Sequence, residues 1–178
     1  MQEQKKSMKN NFMQLLISFL IISCLTLNNL KYEVKSDGSQ NIYVGEVNRK
    51  IIQSDTNFTW FDKNYKSYSP NKEAIEILKS KKDKIDFLIF AGTWCGDTKR
   101  ELPKFYKLVD EVGISEKNIQ LICVDRSKKS LDSLTFKYDL RRIPTIIILQ
   151  NNKEVGRFVE SPQLSLEDDL AKIVIDLK

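Results

Sequence analysis

The chain has 178 residues, of which 41% are apolar and 30% charged, and these fractions are typical of a globular protein rather than a disordered one. Its net charge of +5 comes from scattered lysines and not from one basic stripe, so we expect no nucleic-acid partner. The lack of histidine excludes His-dependent triads and His-ligated metal sites, and three cysteines without a CxxC pair disfavour zinc ribbons, iron–sulfur clusters and disulfide frameworks, so we expect neither a metal nor a cofactor.

The N-terminal segment, residues 1–24, has the features of an export signal. A basic start is followed by an apolar stretch over residues 11–27, whose uninterrupted core is shorter than the about 20 residues of a membrane span. A small residue, Ser23, follows the apolar core, as in a cleavable signal. The run Ile21-Ile22-Ser23-Cys24 also resembles a bacterial lipobox, in which the cysteine is lipidated and becomes the mature N-terminus.

Three interpretations of this segment stay open: a lipoprotein anchored through Cys24, a signal that is cleaved without lipidation, and an uncleaved anchor. All three place the rest of the chain outside the cytoplasm, in the cell envelope. We expect a lipoprotein that faces the periplasm and contacts the membrane through its N-terminal lipid or signal anchor. A soluble periplasmic or secreted protein is the alternative.

Residues 25–69 are predicted to form a tether and an N-terminal extension. Residues 28–40 are polar, which is typical of a tether, and the apolar residues between 42 and 47 predict a short strand or hairpin arm. An aromatic cluster follows, and its members are Phe58, Trp60, Phe61, Tyr65 and Tyr68. Such a cluster either packs the extension onto the next domain or forms a binding face, and packing is the commoner role.

Over residues 70–178 the hydrophobic periodicity predicts one α/β domain. The predicted elements, in chain order, are helix 70–80, strand 85–90, helix 99–112, strand 119–124, helix 130–138, strand 146–149, strand 153–159 and helix 164–177. Gly113 is expected to end the second helix, Ser130 to cap the third, and Asn151-Asn152 to turn the last hairpin. This order predicts a mixed central sheet with flanking helices.

Cys95 lies where the strand 85–90 turns into a helix. The free backbone N–H groups of a helix and the positive end of its dipole favour the thiolate, which is the reactive form of cysteine. Asp97 either disfavours the thiolate by its charge or caps the helix. Thr98 either donates a hydrogen bond to the thiolate or is an ordinary first-turn residue.

Cys123 lies in the middle of an apolar run and is expected to be a core residue. The alternative is that it reacts with a mixed disulfide on Cys95. That reaction requires the two Cα atoms to come within about 7 Å of each other.

Three motifs within residues 70–177 resemble the thioredoxin-like family. Trp94-Cys95-Gly96-Asp97-Thr98 resembles the active-site motif W-C-x-x-C, and Pro103 stands where the family has a helix-kinking proline. Ile143-Pro144-Thr145 precedes the hairpin strand, where the family has its cis-proline. The resemblance implies a thioredoxin fold with Cys95 as the reactive thiol. It also implies a substrate groove made of Trp94, Gly96, Asp97, Thr98, Ile143, Pro144 and Thr145.

A longer pattern resembles a branch of envelope-associated thioredoxin-like proteins. It combines Gly92-Thr93-Trp94-Cys95-Gly96-Asp97 with the downstream runs Val124-Asp125-Arg126 and Glu160-Ser161-Pro162. The chain nevertheless departs from the family pattern at two positions. Thr98 replaces the second, resolving cysteine, and a hydroxyl cannot resolve a mixed disulfide. Ile89 replaces the family's buried acidic residue.

We therefore expect an exported, monomeric thioredoxin-fold protein with one active-site cysteine. Its expected role is thiol–disulfide exchange, or mixed-disulfide formation, with cysteine-containing envelope proteins or small thiols. The alternative is a redox-inactive binding module that uses the groove near Trp94 and Pro144.

Overall fold

The computed structural model describes residues 31–38 and 40–177. The predicted export signal and the lipobox cysteine Cys24 lie outside the described residues. Within the described ranges, no helix is both long enough and apolar enough to cross a membrane.

The described part of the chain forms a six-stranded mixed sheet with helices on its faces. The strands are β1 Tyr32–Asp37, β2 Gln40–Val47, β3 Asp86–Ala91, β4 Ile119–Cys123, β5 Thr145–Gln150 and β6 Lys153–Val159. The helices are α1 Arg49–Ser54, α2 Thr59–Ser67, α3 Lys72–Lys79, α4 Gly96–Val112, α5 Leu134–Lys137 and α6 Leu166–Val174. Single 3₁₀ turns occupy Thr56–Phe58, Lys82–Lys84 and Glu116–Asn118.

The strand order is β1-β2-β4-β3-β5-β6. The strands β3 and β4 run parallel and are joined by the crossover helix α4, whereas all other neighbouring strands are antiparallel. The predicted mixed sheet with flanking helices is therefore confirmed. In the last hairpin, Asn151 and Asn152 have positive φ values of 53° and 61°, as the predicted tight turn requires.

The central strands are buried on both faces, which explains why their sequences are continuous apolar runs. In β3, Phe87, Ile89 and Ala91 face the main core, where α3, α4 and α6 pack. The alternate residues Leu88 and Phe90 face a second, smaller apolar cluster on the opposite side of the sheet. The members of this second cluster are Leu88, Phe90, Ile122, Val124, Ile143 and Ile147, with Trp94 and Cys95 packed against them.

Residues 32–47 form a hairpin that belongs to the sheet. The tether expected over residues 28–40 is wrong for residues 32–37, which form β1 and pair with all of β2 from Gln40 to Gly45. Gly38, with φ of +63°, lies in the turn between the two strands. The composition was misleading because β1 is an edge strand whose side chains are mostly solvent-exposed, so polar residues are tolerated along it.

The aromatic cluster packs, as one of its two interpretations predicted. Phe58 and Phe61 are 6% and 1% exposed and join the main core, and Trp60 and Tyr65 pack against it. The guanidinium of Arg49 lies 5.2 Å from the ring centroid of Tyr65. It also forms an ion pair with Asp110 on α4. The extension and the α/β elements therefore share one core.

The helix predicted over residues 130–138 is wrong in length. Only Leu134–Lys137 is helical, and the Ser130 hydroxyl, expected to cap the helix, has no hydrogen-bond partner. Phe136, which lies within the predicted helix, is 90% exposed. The side chain of Asp132 accepts a hydrogen bond from the backbone N–H of Leu134, the first residue of the observed helix, and such local bonds compete with helix formation.

The last helix is also shorter than predicted. It begins at Leu166, because the hydroxyl of Ser165 accepts a hydrogen bond from the N–H of Asp168 and caps it. Leu164, which the periodicity placed inside this helix, is 80% exposed.

Candidate functional site

The site lies at the connection between the C-terminal end of β3 and the N-terminus of α4. After Ala91 the chain crosses in four residues, and Cys95 occupies the N-cap position of α4, with φ of −82° and ψ of 130°. The N–H of Cys95 donates to the carbonyl of Gly92 at 2.9 Å, which closes the turn. The thiol is free and partly exposed. The predicted placement of a single thiol at a helix N-terminus is therefore what the structure has, and α4 begins earlier than the predicted residue 99.

The segment 143–145 lies against this thiol. The Ile143–Pro144 peptide is cis. The Sγ atom of Cys95 is 3.7 Å from the carbonyl oxygen of Ile143, to which the thiol donates a hydrogen bond. Thr145 is buried, and its hydroxyl donates to the carbonyl of Arg142 at 2.7 Å. Residues separated by almost fifty positions in the sequence thus meet at the sulfur atom.

Trp94 is held as a partly buried plate beside the thiol. Its indole Nε1 donates to the carbonyl oxygen of Val124 at 3.0 Å. The guanidinium of Arg126 lies 5.0 Å from the ring centroid, in a cation–π contact. Arg126 is in turn paired with Asp37 at 2.6 Å. Sequence reasoning did not find Asp37 or Arg126 as neighbours of the site, because no local pattern links residue 37 to residue 94.

Thr98 is fully buried and bonds to the loop, not to the thiol. Its hydroxyl oxygen accepts a hydrogen bond from the N–H of Gly92 at 3.2 Å. Within residues 31–38 and 40–177 no hydrogen bond joins Thr98 to Cys95. The hydroxyl therefore satisfies a buried backbone donor at the start of the turn 92–95.

The carboxylate of Asp97 lies one residue inside α4 and pairs with Arg100 at 2.8 Å. Asp97 is therefore not the helix cap, because Cys95 occupies that position. Gly96 is exposed, and a Cβ built on it would have open space around it.

Gly92 permits the close approach of the two groove walls. A Cβ on Gly92 would lie 2.7 Å from Cδ1 of Ile143 and 2.9 Å from the Trp94 ring, and real Cβ contacts are not that short. The backbone at Gly92 has no positive φ, so the requirement is one of space alone. The sequence pattern included this glycine without indicating its purpose.

The position at which the resemblance implies a buried acid is occupied by Ile89. Ile89 is fully buried in the main core. A different acid, Glu101 of α4, is fully buried and pairs with Arg100 at 2.6 Å and with Lys104 at 3.3 Å. Glu101 lies three residues after Thr98 and therefore on the same, buried face of α4, and this spacing is the sequence feature that could have predicted its burial.

Cys123 is a core residue. It is fully buried, and burial raises the pKa of its thiol to about 12. Cys123 faces the main core, whereas Cys95 packs against the second cluster on the other face of the sheet. The sheet therefore lies between the two thiols. Among the described residues, no group of three or more cysteine, aspartate or glutamate side chains is placed to hold a metal ion.

Comparison with known proteins identifies the fold and family of this site. The sequence model of the thioredoxin family matches residues 46–171. The chain belongs to the thioredoxin family. Thioredoxin-1 of Caenorhabditis elegans is 30% identical over 101 residues, covering 57% of this chain and 79% of that protein. Thioredoxin-1 of Drosophila melanogaster is 29% identical over 97 residues, covering 54% of this chain and 86% of that protein.

Solved structures agree with this fold. The crystal structure of an HIV epitope-scaffold superposes with a TM-score of 0.51 at 18% identity, covering 73% of this chain and 84% of that one. Similarity at this identity shows the fold alone. Membership of the thioredoxin family, together with the thioredoxin-like fold, supports a general thiol-redox role.

Proposed function

We propose that this thioredoxin-family protein is exported and uses Cys95 alone to form mixed disulfides with cysteine-containing envelope proteins or small thiols. One observation carries the proposal. The Cys95 thiol is partly exposed at the N-terminus of α4, and its sulfur lies 3.7 Å from the backbone of the cis-proline segment.

The reaction is a thiol–disulfide exchange. The Cys95 thiolate attacks one sulfur of a partner disulfide, a new Cys95–partner S–S bond forms, and the old S–S bond breaks. The second partner sulfur leaves as a thiolate and takes a proton from solvent. The thiol lies at the N-cap of α4, and the backbone around Ile143 offers an extended partner segment a place to pair by strand addition.

The exchange stops at the mixed disulfide. The hydroxyl of Thr98 is not a thiol nucleophile, and it already accepts from Gly92. Cys123 lies on the other face of the sheet with its thiol pKa raised by burial. An external thiol must therefore attack the mixed disulfide to release the partner, and the protein acts once per external reduction.

Oxidised glutathione tests the thiol chemistry directly. We expect the intact mass of the protein to increase by one glutathionyl group, and dithiothreitol to reverse the change. In a Cys24→Ser background, which removes the third thiol, Cys95→Ser should abolish the modification, and Cys123→Ser is the matched control that should keep it. Repeated reduction of insulin disulfides should be nearly absent in the wild type and appear in Thr98→Cys, which restores a second thiol.

A redox-inactive binding module is the second candidate, favoured by the replacement of the resolving cysteine with Thr98 and of the buried acid with Ile89. Under that function, the wild type takes up no glutathione, and Cys95→Ser retains partner binding through the groove. Uptake of glutathione at Cys95 alone would reject it.

We also propose lipidation at Cys24 and a periplasm-facing position in the envelope. The support is the basic start, the short apolar stretch and the lipobox-like run ending at Cys24. Mass spectrometry of the mature N-terminus should find a lipidated Cys24 after expression in a bacterial host. A mature chain that keeps residues 1–23, or begins at an unmodified residue, would contradict the lipoprotein assignment.

A further inference from the structure

The N-terminal hairpin contacts the turn 92–95 directly at Thr93, and it contacts Arg126, whose guanidinium lies over Trp94. The backbone N–H of Tyr43 in β2 donates to the hydroxyl of Thr93 at 3.3 Å, and Thr93 is 1% exposed. At the tip of the hairpin, Oδ2 of Asp37 accepts hydrogen bonds from Arg126. Thr93 directly precedes Trp94, and Arg126 contacts the Trp94 ring, so one contact reaches the residues next to the thiol directly and the other reaches them through Arg126.

Arg126 connects the hairpin to the groove wall. Two of its guanidinium nitrogens lie 2.7 and 2.6 Å from the same oxygen of Asp37. Its cation lies over the Trp94 ring at 5.0 Å, while the indole N–H is bound to the carbonyl of Val124. The hydrogen bond to Val124 therefore holds the edge of the ring, and the Arg126 guanidinium, which Asp37 orients, covers one of its faces.

We propose that Asp37 and Arg126 are positioning residues of the thiol site, through which the N-terminal hairpin holds Trp94 as a fixed wall beside Cys95. The inference rests on the proposed function, because its kinetic consequence needs a reactive Cys95. Without the Asp37 contact the guanidinium leaves the ring, Trp94 takes several orientations, and a disulfide reaches Cys95 in the aligned geometry less often.

The first measurement reports on Trp94 itself and needs no thiol chemistry. A Trp60→Phe background leaves Trp94 as the fluorophore, since the protein has two tryptophans. We expect Asp37→Asn to increase quenching of Trp94 by acrylamide and to shift its emission to longer wavelength. Asp37→Glu should restore the wild-type values, because a carboxylate can again pair with Arg126.

The second measurement is the rate at which Cys95 attacks bis(2-hydroxyethyl) disulfide, releasing one 2-mercaptoethanol. This probe is neutral, so a change of protein charge alone does not steer it. We expect Asp37→Asn and Arg126→Gln to slow the reaction about two- to fivefold, the population change that an exposed cation–π contact corresponds to. Glu33→Gln is the matched control, because it removes the same charge from the exposed pair with Lys35 on the same strand.

The outcomes distinguish failure of the positioning role of Asp37 and Arg126 from failure of the proposed thiol function of Cys95. Equal quenching and equal rates in Asp37→Asn and Glu33→Gln would overturn the positioning role. Greater quenching together with slower exchange supports it. Greater quenching in a protein whose wild-type Cys95 never reacts with the probe would overturn the proposed function and confine the role of the hairpin to holding Trp94. Thermal melting of each variant separates these effects from unfolding.

Discussion

The substitution Gly92→Ala tests the geometry of the groove. The added Cβ would lie 2.7 Å from Cδ1 of Ile143 and 2.9 Å from Cε2 and Nε1 of Trp94. Carbon atoms in contact prefer about 3.5–4.0 Å, so each wall must retreat by about 1 Å. Ile143 presents the end of a flexible side chain, but it is 4% exposed and has packed neighbours. The indole is rigid and is held by Val124 and Arg126.

Three contributions determine the change in the free energy of unfolding caused by this substitution. Overpacking of this kind costs about 1–3 kcal/mol. Loss of the indole hydrogen bond to Val124 adds about 1 kcal/mol, and the smaller unfolded-state entropy of alanine returns about 0.4–1 kcal/mol. We expect a net loss of about 1–4 kcal/mol in the free energy of unfolding, and a melting temperature lower by about 2–14 °C.

Urea unfolding measures this loss, and Gly96→Ala is the matched control. A Cβ on Gly96 meets nothing within 4 Å, and Gly96 is the first residue of α4, so its replacement should be neutral or stabilising. Fluorescence of Trp94 in the Trp60→Phe background should change only in Gly92→Ala. If both alanine variants are equally stable and Trp94 fluorescence is unchanged, then Gly92 is not needed to bring the walls together.

Three further predictions concern buried or clamped groups. Arg49→Ala should lower the free energy of unfolding by about 1–3 kcal/mol, because it removes a two-point ion pair with Asp110 and cation–π contacts with two tyrosine rings. Urea unfolding measures the loss, with the exposed substitution Lys50→Ala as the control. Equal losses in the two variants would contradict this prediction. Thr98→Val should lower the free energy of unfolding by about 1–3 kcal/mol in urea, because the buried N–H of Gly92 loses its acceptor. Thr98→Ser keeps the hydroxyl oxygen and should be more stable than Thr98→Val. Equal stability of the two variants would count against a role for this hydrogen bond. Burial raises the pKa of the Cys123 thiol to about 12, so above about pH 9 the native state keeps a proton that the unfolded state releases. The free energy of unfolding should therefore fall by about 1.4 kcal/mol per pH unit above about pH 9, relative to Cys123→Val. Parallel pH profiles of stability for the two proteins would refute this prediction.

Local pattern was sufficient for the order of the elements from residue 70 onward. Apolar runs bounded by polar turns predicted β3, β4 and the β5–β6 hairpin, since strands buried on both faces have no polar alternation. Helical spacing predicted α3, α4 and α6 to within a few residues, and Gly113 ends α4 in the left-handed conformation as expected. The resemblance to thioredoxin-like proteins indicated the residues that meet at the thiol, and the structure places Cys95 against the Ile143 carbonyl.

Local pattern failed where a competing contact decided the outcome. Residues 32–37 became a strand only because β2 lies beside them, and their own polar composition could not signal that partner. The helix predicted from Ser130 begins only at Leu134, whose N–H donates to the side chain of Asp132, and a local bond of this kind competes with helix formation.

The sequence by itself determined that one thiol lies at the junction of a strand and a helix, because the hydrophobic pattern of the adjoining residues predicts both elements. Tertiary structure alone decided what surrounds that thiol. The contact of Arg126 with Trp94, its pairing with Asp37, and the missing Cβ at Gly92 all depend on chain segments brought together by the sheet. Such neighbours are set by strand order and register, which are long-range properties that no short pattern in the chain encodes.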